Sequence, residues 1–342
     1  MSPVGKCGLF LVVAAVTMPA EGLAPPKDTL PTSLSIDLIP AGLDPNRPVP
    51  NDNPLSAAKV QLGRRLFFDP ILSGNRTVSC ASCHQPEHGF SSPLRFAIGH
   101  SGKQGQRNPP SLLNRAYGRA FFWDGREATL ESQAVRPIES PGEMGSTLDE
   151  IIRRLQAHAD YSAQFRAMFP DGVTAANIGK ALACFERVLL SGNSRVDRFR
   201  RGEIAALSDS ERHGLWLYES RGGCWRCHGG PNFTDEGFHN TGVSWGSEPL
   251  DLGRYAVTRQ EIDRGRFKTP TLRGLAATAP YMHDGSLATL REVVEFYNRG
   301  GGKNPHLDPV IAPLGLSAEE ATDLVAFLNA LSEPVASHRL QP

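Results

Sequence analysis

The chain has 342 residues, and 36 Lys+Arg balance 36 Asp+Glu, so its formal charge at neutral pH is zero. Nothing in that balance points to nucleic acid or a polyanionic surface as a partner. A hydrophobic content of 40% is ordinary for a folded globule, the length suits two domains, and 34 Gly with 27 Pro predict many loops between short helices.

Residues 1–24 read as a secretory signal peptide. Lys6 precedes the apolar run CGLFLVVAAV, and TMPAEGLA supplies small residues for cleavage. A retained anchor is the alternative reading of this segment. No later stretch approaches the roughly 18 apolar residues of a spanning helix, so a periplasmic protein with no membrane span in its mature form is expected. Residues 25–50, rich in proline and without periodicity, form an N-terminal arm. Asn53 and Pro54 then suit the cap and first residue of a helix through LSAAKVQLGRRLFF.

SCASCHQPEHGF (79–90) places two cysteines three apart with a histidine directly after the second, and GCWRCHGGPNF (223–233) repeats the device. Of six cysteines, Cys7 leaves with the signal and four of the remaining five lie in C-x-x-C-H. This spacing lets two thiols add to the two vinyl groups of a haem while the adjacent imidazole reaches the iron. Cys80, Cys83 and His84 would hold one haem, and Cys224, Cys227 and His228 a second. Paired zinc or redox sites would leave the histidine after both motifs unexplained. Cys184, in the apolar pattern IGKALACFERVLL, reads as a buried packing residue.

Between the motifs a glycine-rich loop covers 91–110. Thr147 and Glu150 form a capping box before LDEIIRRL, and a long helix is expected over about 174–191, ending at Gly192. SGNSRVDRFRRGE reads as the join between domains. Beyond it, Ser208 with Glu211 caps a helix expected to run into Cys224. Thr289 with Glu292 caps LREVVEFY, and Ser317 with Glu320 caps ATDLVAFLNAL. Strand-type alternation does not persist anywhere. The expected fold is all-α: two cytochrome c-like helical domains, at 51–195 and 196–335, each with one covalently bound haem, followed by a tail at 336–342. CHQPEHGFSSP and CHGGPNFTDEGF carry a faint trace of duplication.

A haem with two strong protein ligands moves electrons, whereas one with an open face activates a small molecule. After the first motif, apolar residues surround one amide, Gln133, and one carboxylate, Glu143. A carboxylate beside an open iron face can move the protons that peroxide chemistry requires. By pattern alone, Glu143 fits a turn cap in SPGEMGS better, and Trp123 and Tyr297 fit core packing. Val293 and Val294 put Tyr297 on the apolar side of its helix.

LGRRLFFDPILSGNRTVSCASCH, RNPPSLLNRAYGRAFFWDGR, FKTPTLRGLAATAPYMHDGSLATL and the two C-x-x-C-H motifs together resemble the bacterial di-haem cytochrome c peroxidase/MauG family over about residues 50–332. The resemblance implies that 51–195 is a peroxidatic haem domain and 196–335 an electron-transfer haem domain. Gln133 and Glu143 would flank the peroxide-binding face of the first haem, and Trp123 would relay electrons between the haems. It also implies a calcium ion at Asn108, Thr278 and Pro280, whose amide and backbone oxygens suit a hard cation. Where the cytochrome c peroxidases place a methionine on the far side of the second haem, this chain has Tyr297, as MauG-type members do; Met282 is the fallback ligand. A phenolate favours highly oxidised iron and a thioether favours reduced iron. Tyr297 therefore shifts the expectation toward high-valent iron, shared by the haems, that oxidises a partner protein at the expense of hydrogen peroxide. The alternative is peroxide reduction with electrons from a small cytochrome c or cupredoxin, and a plain di-haem electron carrier is the third reading. His100, in FAIGHSGKQG, matches a loop histidine that blocks the first haem in many resting family members; an exposed loop histidine is the plainer alternative.

Overall fold

Serine or threonine opens most helices of this chain, its side-chain oxygen accepting an otherwise unpartnered backbone N–H. The computed structural model describes residues 27–31 and 35–332; the expected signal peptide and the 336–342 tail lie outside the described residues. The first half holds α1 (Ala57–Phe68), α2 (Cys80–Cys83), α3 (Leu130–Glu139), α4 (Leu148–Ala157), α5 (Ala159–Met168) and α6 (Ala175–Glu186). The second half holds α7 (Arg195–Arg200), α8 (Asp209–Glu219), α9 (Tyr255–Thr258), α10 (Leu290–Asn298) and α11 (Ala318–Ala330). The capping boxes at Ser208/Glu211, Thr289/Glu292 and Ser317/Glu320 are all present. No described helix is long and apolar enough to cross a membrane.

Several boundaries differ from the sequence reading. α1 starts at Ala57 with Ser56 as its cap, because Asn53 is buried and its amide donates to Glu131 and to the Lys180 carbonyl. Thr147 caps α4 through the Glu150 N–H, but the Glu150 carboxylate turns to Arg153 and Arg154. α6 stops at Glu186 rather than near 191, since the Leu189 carbonyl and the Ser191 N–H are both taken by the buried amide of Asn114 and its backbone. α8 stops at Glu219, short of Cys224, and Gly223 adopts φ +60 before the cysteine turn. The chain is helix-rich without being wholly α: Phe238–His239 (β1) pairs antiparallel with Phe267–Lys268 (β2).

Two apolar cores result, one drawn from residues between Val60 and Leu189 and the other from residues between Val196 and Leu331. Both are built around the same close crossing of helices. In the first core α1 packs on α6, where a Cβ on Gly63 would lie 2.0 Å from the Ala181 carbonyl oxygen and 2.9 Å from the Phe185 Cβ. In the second α8 packs on α11, and a Cβ on Gly214 would lie 2.0 Å from the Asp323 carbonyl oxygen and 2.8 Å from the Phe327 Cβ.

The duplication extends further than the sequence reading saw. Residues 108–130 and 268–290 superpose in sequence at a constant offset of 160 (268 − 108), matching Pro110 with Pro270, Leu112 with Leu272, Asp124–Gly125 with Asp284–Gly285, and Thr129–Leu130 with Thr289–Leu290. The bridge from Phe121 to Glu127 recurs from Tyr281 to Leu287. The two segments meet at the junction of the cores by reciprocal backbone bonds. The Asn108 N–H donates to the His283 carbonyl (2.8 Å), and the Lys268 N–H donates to the Trp123 carbonyl (2.8 Å). Asn108 and Lys268 are matched positions, as are Trp123 and His283. Buried ion pairs also cross this junction or flank it: Arg115 with Glu236, and Arg273 with Asp197. The arm lies over it too, its Gly42 carbonyl accepting from Arg273 and its Asp44 carbonyl from Tyr117.

Candidate active site

α2 presents Cys80 and Cys83 one turn apart, and the chain then leaves the helix at His84. The His84 imidazole Nδ1 lies 3.0 Å from the Phe90 carbonyl, and the His228 Nδ1 lies 3.1 Å from the Phe233 carbonyl. Phe90 and Phe233 both hold left-handed backbone (φ +56 and +50), a strained conformation for a bulky residue that aims each carbonyl back at the ring. These phenylalanines are therefore the true counterparts in the two motif tails. An imidazole whose Nδ1–H donates to a carbonyl keeps its Nε2 lone pair for a metal. Burial lowers the pKa of His84 and takes that of His228 down to about 4, so both rings stay neutral, as an iron ligand must.

Cys80, Cys83, Cys224 and Cys227 are unpaired thiols, so no disulfide competes with thioether formation. The donor set at each motif fits a covalently attached haem. It fits zinc poorly. Among the described residues one group of ligand-type atoms lies close together: Cys227, Asp235 and His239, within 4.8 Å. Both His239 nitrogens are engaged there, by Asp235 at 2.9 Å and Asp308 at 2.6 Å. Nothing equivalent stands at the first motif.

The surroundings of the two motifs differ. Glu143 sits in the turn after α3, its N–H on the Ser140 carbonyl, and its carboxylate acts on the Cys83 thiol, which burial and this charge push up to about 12. Burial raises the Glu143 carboxyl above the usual range, opposed by Arg126 and Ser140. Gln133 lies on α3, one turn into the helix that delivers this turn. His100 rests on the same turn. Its N–H donates to the Glu143 carbonyl (2.7 Å), and its imidazole packs where a Gly145 side chain would stand.

At the second motif, Tyr297 on α10 is half-buried and interacts with Thr241 and with the thiols of Cys224 and Cys227; desolvation pushes its hydroxyl up to about 12. Met282 lies elsewhere, on the wall of a cavity between the cores. Trp123 shares that wall, and its indole N–H donates to the Asn108 carbonyl (2.8 Å). Asn108, Thr278 and Pro280 line it as well, with the Asn108 amide NH2 donating to Leu94 and Arg95 carbonyls. Cys184 is buried in the first core.

Sequence reading missed three features here. His283 is buried (4% exposed), stacked on Phe267 at 3.5 Å and edge-on to Trp123 at 6.4 Å. Glu236 holds both Arg115 and Lys268. His239 is clamped between two aspartates. The 160-residue offset would have exposed the first of these, by setting His283 opposite Trp123.

Two thiol–imidazole sites in a duplicated helical frame, one beside a raised carboxyl and one beside a half-buried phenol, define a di-haem c-type redox protein. The profile of the family "Di-haem cytochrome c peroxidase" matches residues 57–205. Methylamine utilization protein MauG of Methylorubrum extorquens is 42% identical over 292 residues, 84% of this chain and 82% of that protein. A cytochrome-c peroxidase of Denitromonas iodatirespirans is 37% identical over 365 residues, 97% and 94% of the two chains. The crystal structure of a MauG-like protein associated with microbial copper homeostasis superposes with a TM-score of 0.78 at 36% identity, covering 91% of this chain and 98% of that one. The chain belongs to the di-haem cytochrome c peroxidase family; it is a peroxidase of MauG type, an oxidoreductase acting with peroxide.

Proposed function

We propose that the two sites divide the work, and the contrast between Glu143 beside Cys83 and Tyr297 beside Cys224 and Cys227 carries this reading. Residues 51–195 form the peroxidatic domain and 196–335 the electron-transfer domain, each with one c-type haem; together the haems supply the redox chemistry. Hydrogen peroxide enters beside Glu143 and Gln133. Glu143, with its raised carboxyl pKa, takes a proton from the bound peroxide and returns it to the leaving oxygen, while the Gln133 amide orients the peroxide by hydrogen bonding. His84 and His228 would each hold a haem iron, and Tyr297 would offer the second iron an anionic oxygen, which favours the oxidised metal. Trp123 bridges the sites, and calcium at Asn108, Thr278 and Pro280 steadies the cavity wall it shares. The oxidising equivalents pass to a partner protein in the periplasm.

Tyr297→Met tests this. The second haem should gain potential, peroxide should still react at the first, and the oxidising equivalents left by one peroxide pulse should decay much faster than in the parent. Unchanged potentials in a variant with two haems would remove Tyr297 from the iron. The second reading, reduction of peroxide by a small cytochrome c or cupredoxin, is favoured by one observation: His100 lies directly on the Glu143 turn, where it could close the first site at rest. A parent enzyme that reacts with peroxide only after one-electron reduction, and a His100→Gly variant without that requirement, would decide for it.

A further inference from the structure

The cavity between the two cores has a volume of about 100 Å³ and touches both histidine loops. Pro110 and Pro270, whose carbonyls face His84 and His228 respectively, both stand in its wall. Three side-chain cations reach it: Arg115, Lys268 and Arg273. Arg273 is matched, with both terminal nitrogens on Asp197 at 2.7 and 2.9 Å. Arg115 and Lys268 are not matched one to one. They share a single carboxylate, Glu236, which accepts from Arg115 at 2.9 and 3.3 Å and from Lys268 at 3.3 Å.

Asp235 also acts on Lys268, but its carboxylate is bonded to His239 and to the Gly237 N–H. Glu186 also acts on Arg115, but burial pushes its carboxyl up to about 8 and so holds it uncharged at neutral pH. With Lys268 charged, two buried cations would share one buried anion and leave a net positive charge out of water, an arrangement that is strongly disfavoured unless a further anion arrives. The donor count agrees. Lys268 Nζ donates to Glu236 and to the Thr269 carbonyl at 3.0 Å, whereas an ammonium carries three protons.

A haem brings its own anions, two propionate carboxylates at one edge. We propose that Lys268, backed by Arg115, is the seat of a propionate of the second haem, an assignment that rests on the reading of His228 as an iron ligand. Lys268 lies two residues before Pro270, which faces His228. Glu236 follows Asp235, whose N–H is bonded to the Cys227 carbonyl at 2.7 Å, so both partners are carried by segments fixed to that motif. The pair also explains why a lysine is kept in a buried position at all. Lys268 is pulled down to about 7 by burial and by Arg115, against Glu236, and a second carboxylate would restore its charge.

The test uses the purified holoprotein and two readouts besides turnover: spectroelectrochemical potentials of both haems, and the resonance Raman band of propionate bending. Lys268→Met should lower the second haem's potential and shift the propionate band, while Lys268→Arg should restore both. Glu236→Gln, which frees the two cations for the haem carboxylate, should move the potential the opposite way. A Lys268→Met protein with two haems and an unmoved Raman band would overturn the proposal, even if its potential fell, because the lysine would then act by field alone. A parent potential that tracks the concentration of added phosphate would also overturn it, by showing that a free anion fills the seat. A parent that lacks a covalent haem at the second motif would instead sink the underlying reading.

Discussion

At the scale of single residues, Glu143 makes the sharpest prediction. Its carboxyl is raised by burial, so the ionised form that can accept a proton is present only above a pH higher than an ordinary glutamate needs. The rate of the peroxide reaction should rise with pH through that raised value. Glu143→Gln should abolish the inflection and slow the reaction by roughly 10²–10⁴ with both haems retained. Stopped-flow spectra over a pH series check this; a parental rate in the variant would reassign the proton carrier. The cysteines and proximal histidines were legible because covalent attachment fixes their spacing in the chain. Glu143 and Tyr297 were not legible from pattern alone, since a glutamate in a Gly/Pro turn and a tyrosine on an apolar helix face are both common. What distinguishes them is their nearness to cysteines far away in sequence. Lys268, Glu236 and His283 went unread for the same reason: Arg115 and Trp123, which they meet, lie in the other half of the chain.

Among the elements, the starts of helices were read better than their ends. A Ser or Thr with Glu three residues on is a local signal, and three such boxes formed as written. The end of α6 was masked because Val188, Leu189 and Leu190 continue the apolar run into the core while Asn114 supplies the hydrogen bonds that stop the helix. The glycines at the helix crossings were invisible too, and they yield a clean prediction. Glycine to alanine in an exposed helix stabilises by up to about 1 kcal/mol. At Gly214 the new methyl would stand 2.0 Å from a backbone oxygen of α11, so Gly214→Ala should instead destabilise by about 1–3 kcal/mol through forced separation of the helices. Gly63→Ala should do the same to α1 and α6. Thermal melts followed by far-UV circular dichroism measure both, and a rise in Tm would mean that the crossing is looser than it stands here.

For the whole molecule, two motifs pointed to two halves, and the chain is helix-rich rather than the all-α fold expected. The manner of their joining was hidden, because pairings between positions 108 and 283 or 123 and 268 leave no periodic mark. Those reciprocal bonds have a thermodynamic consequence. Each half holds a backbone group of the other's central segment, the buried Arg115–Glu236 pair spans the same seam, and the arm is tied down across it. Opening either core would leave these groups of the other half unpaired in an apolar setting, which carries a large penalty. The two cores should therefore melt as a single cooperative unit in spite of their separate apolar centres. Scanning calorimetry of the holoprotein should show one heat-absorption peak whose calorimetric and van't Hoff enthalpies agree, and two resolved peaks would mean that the seam yields before either core does.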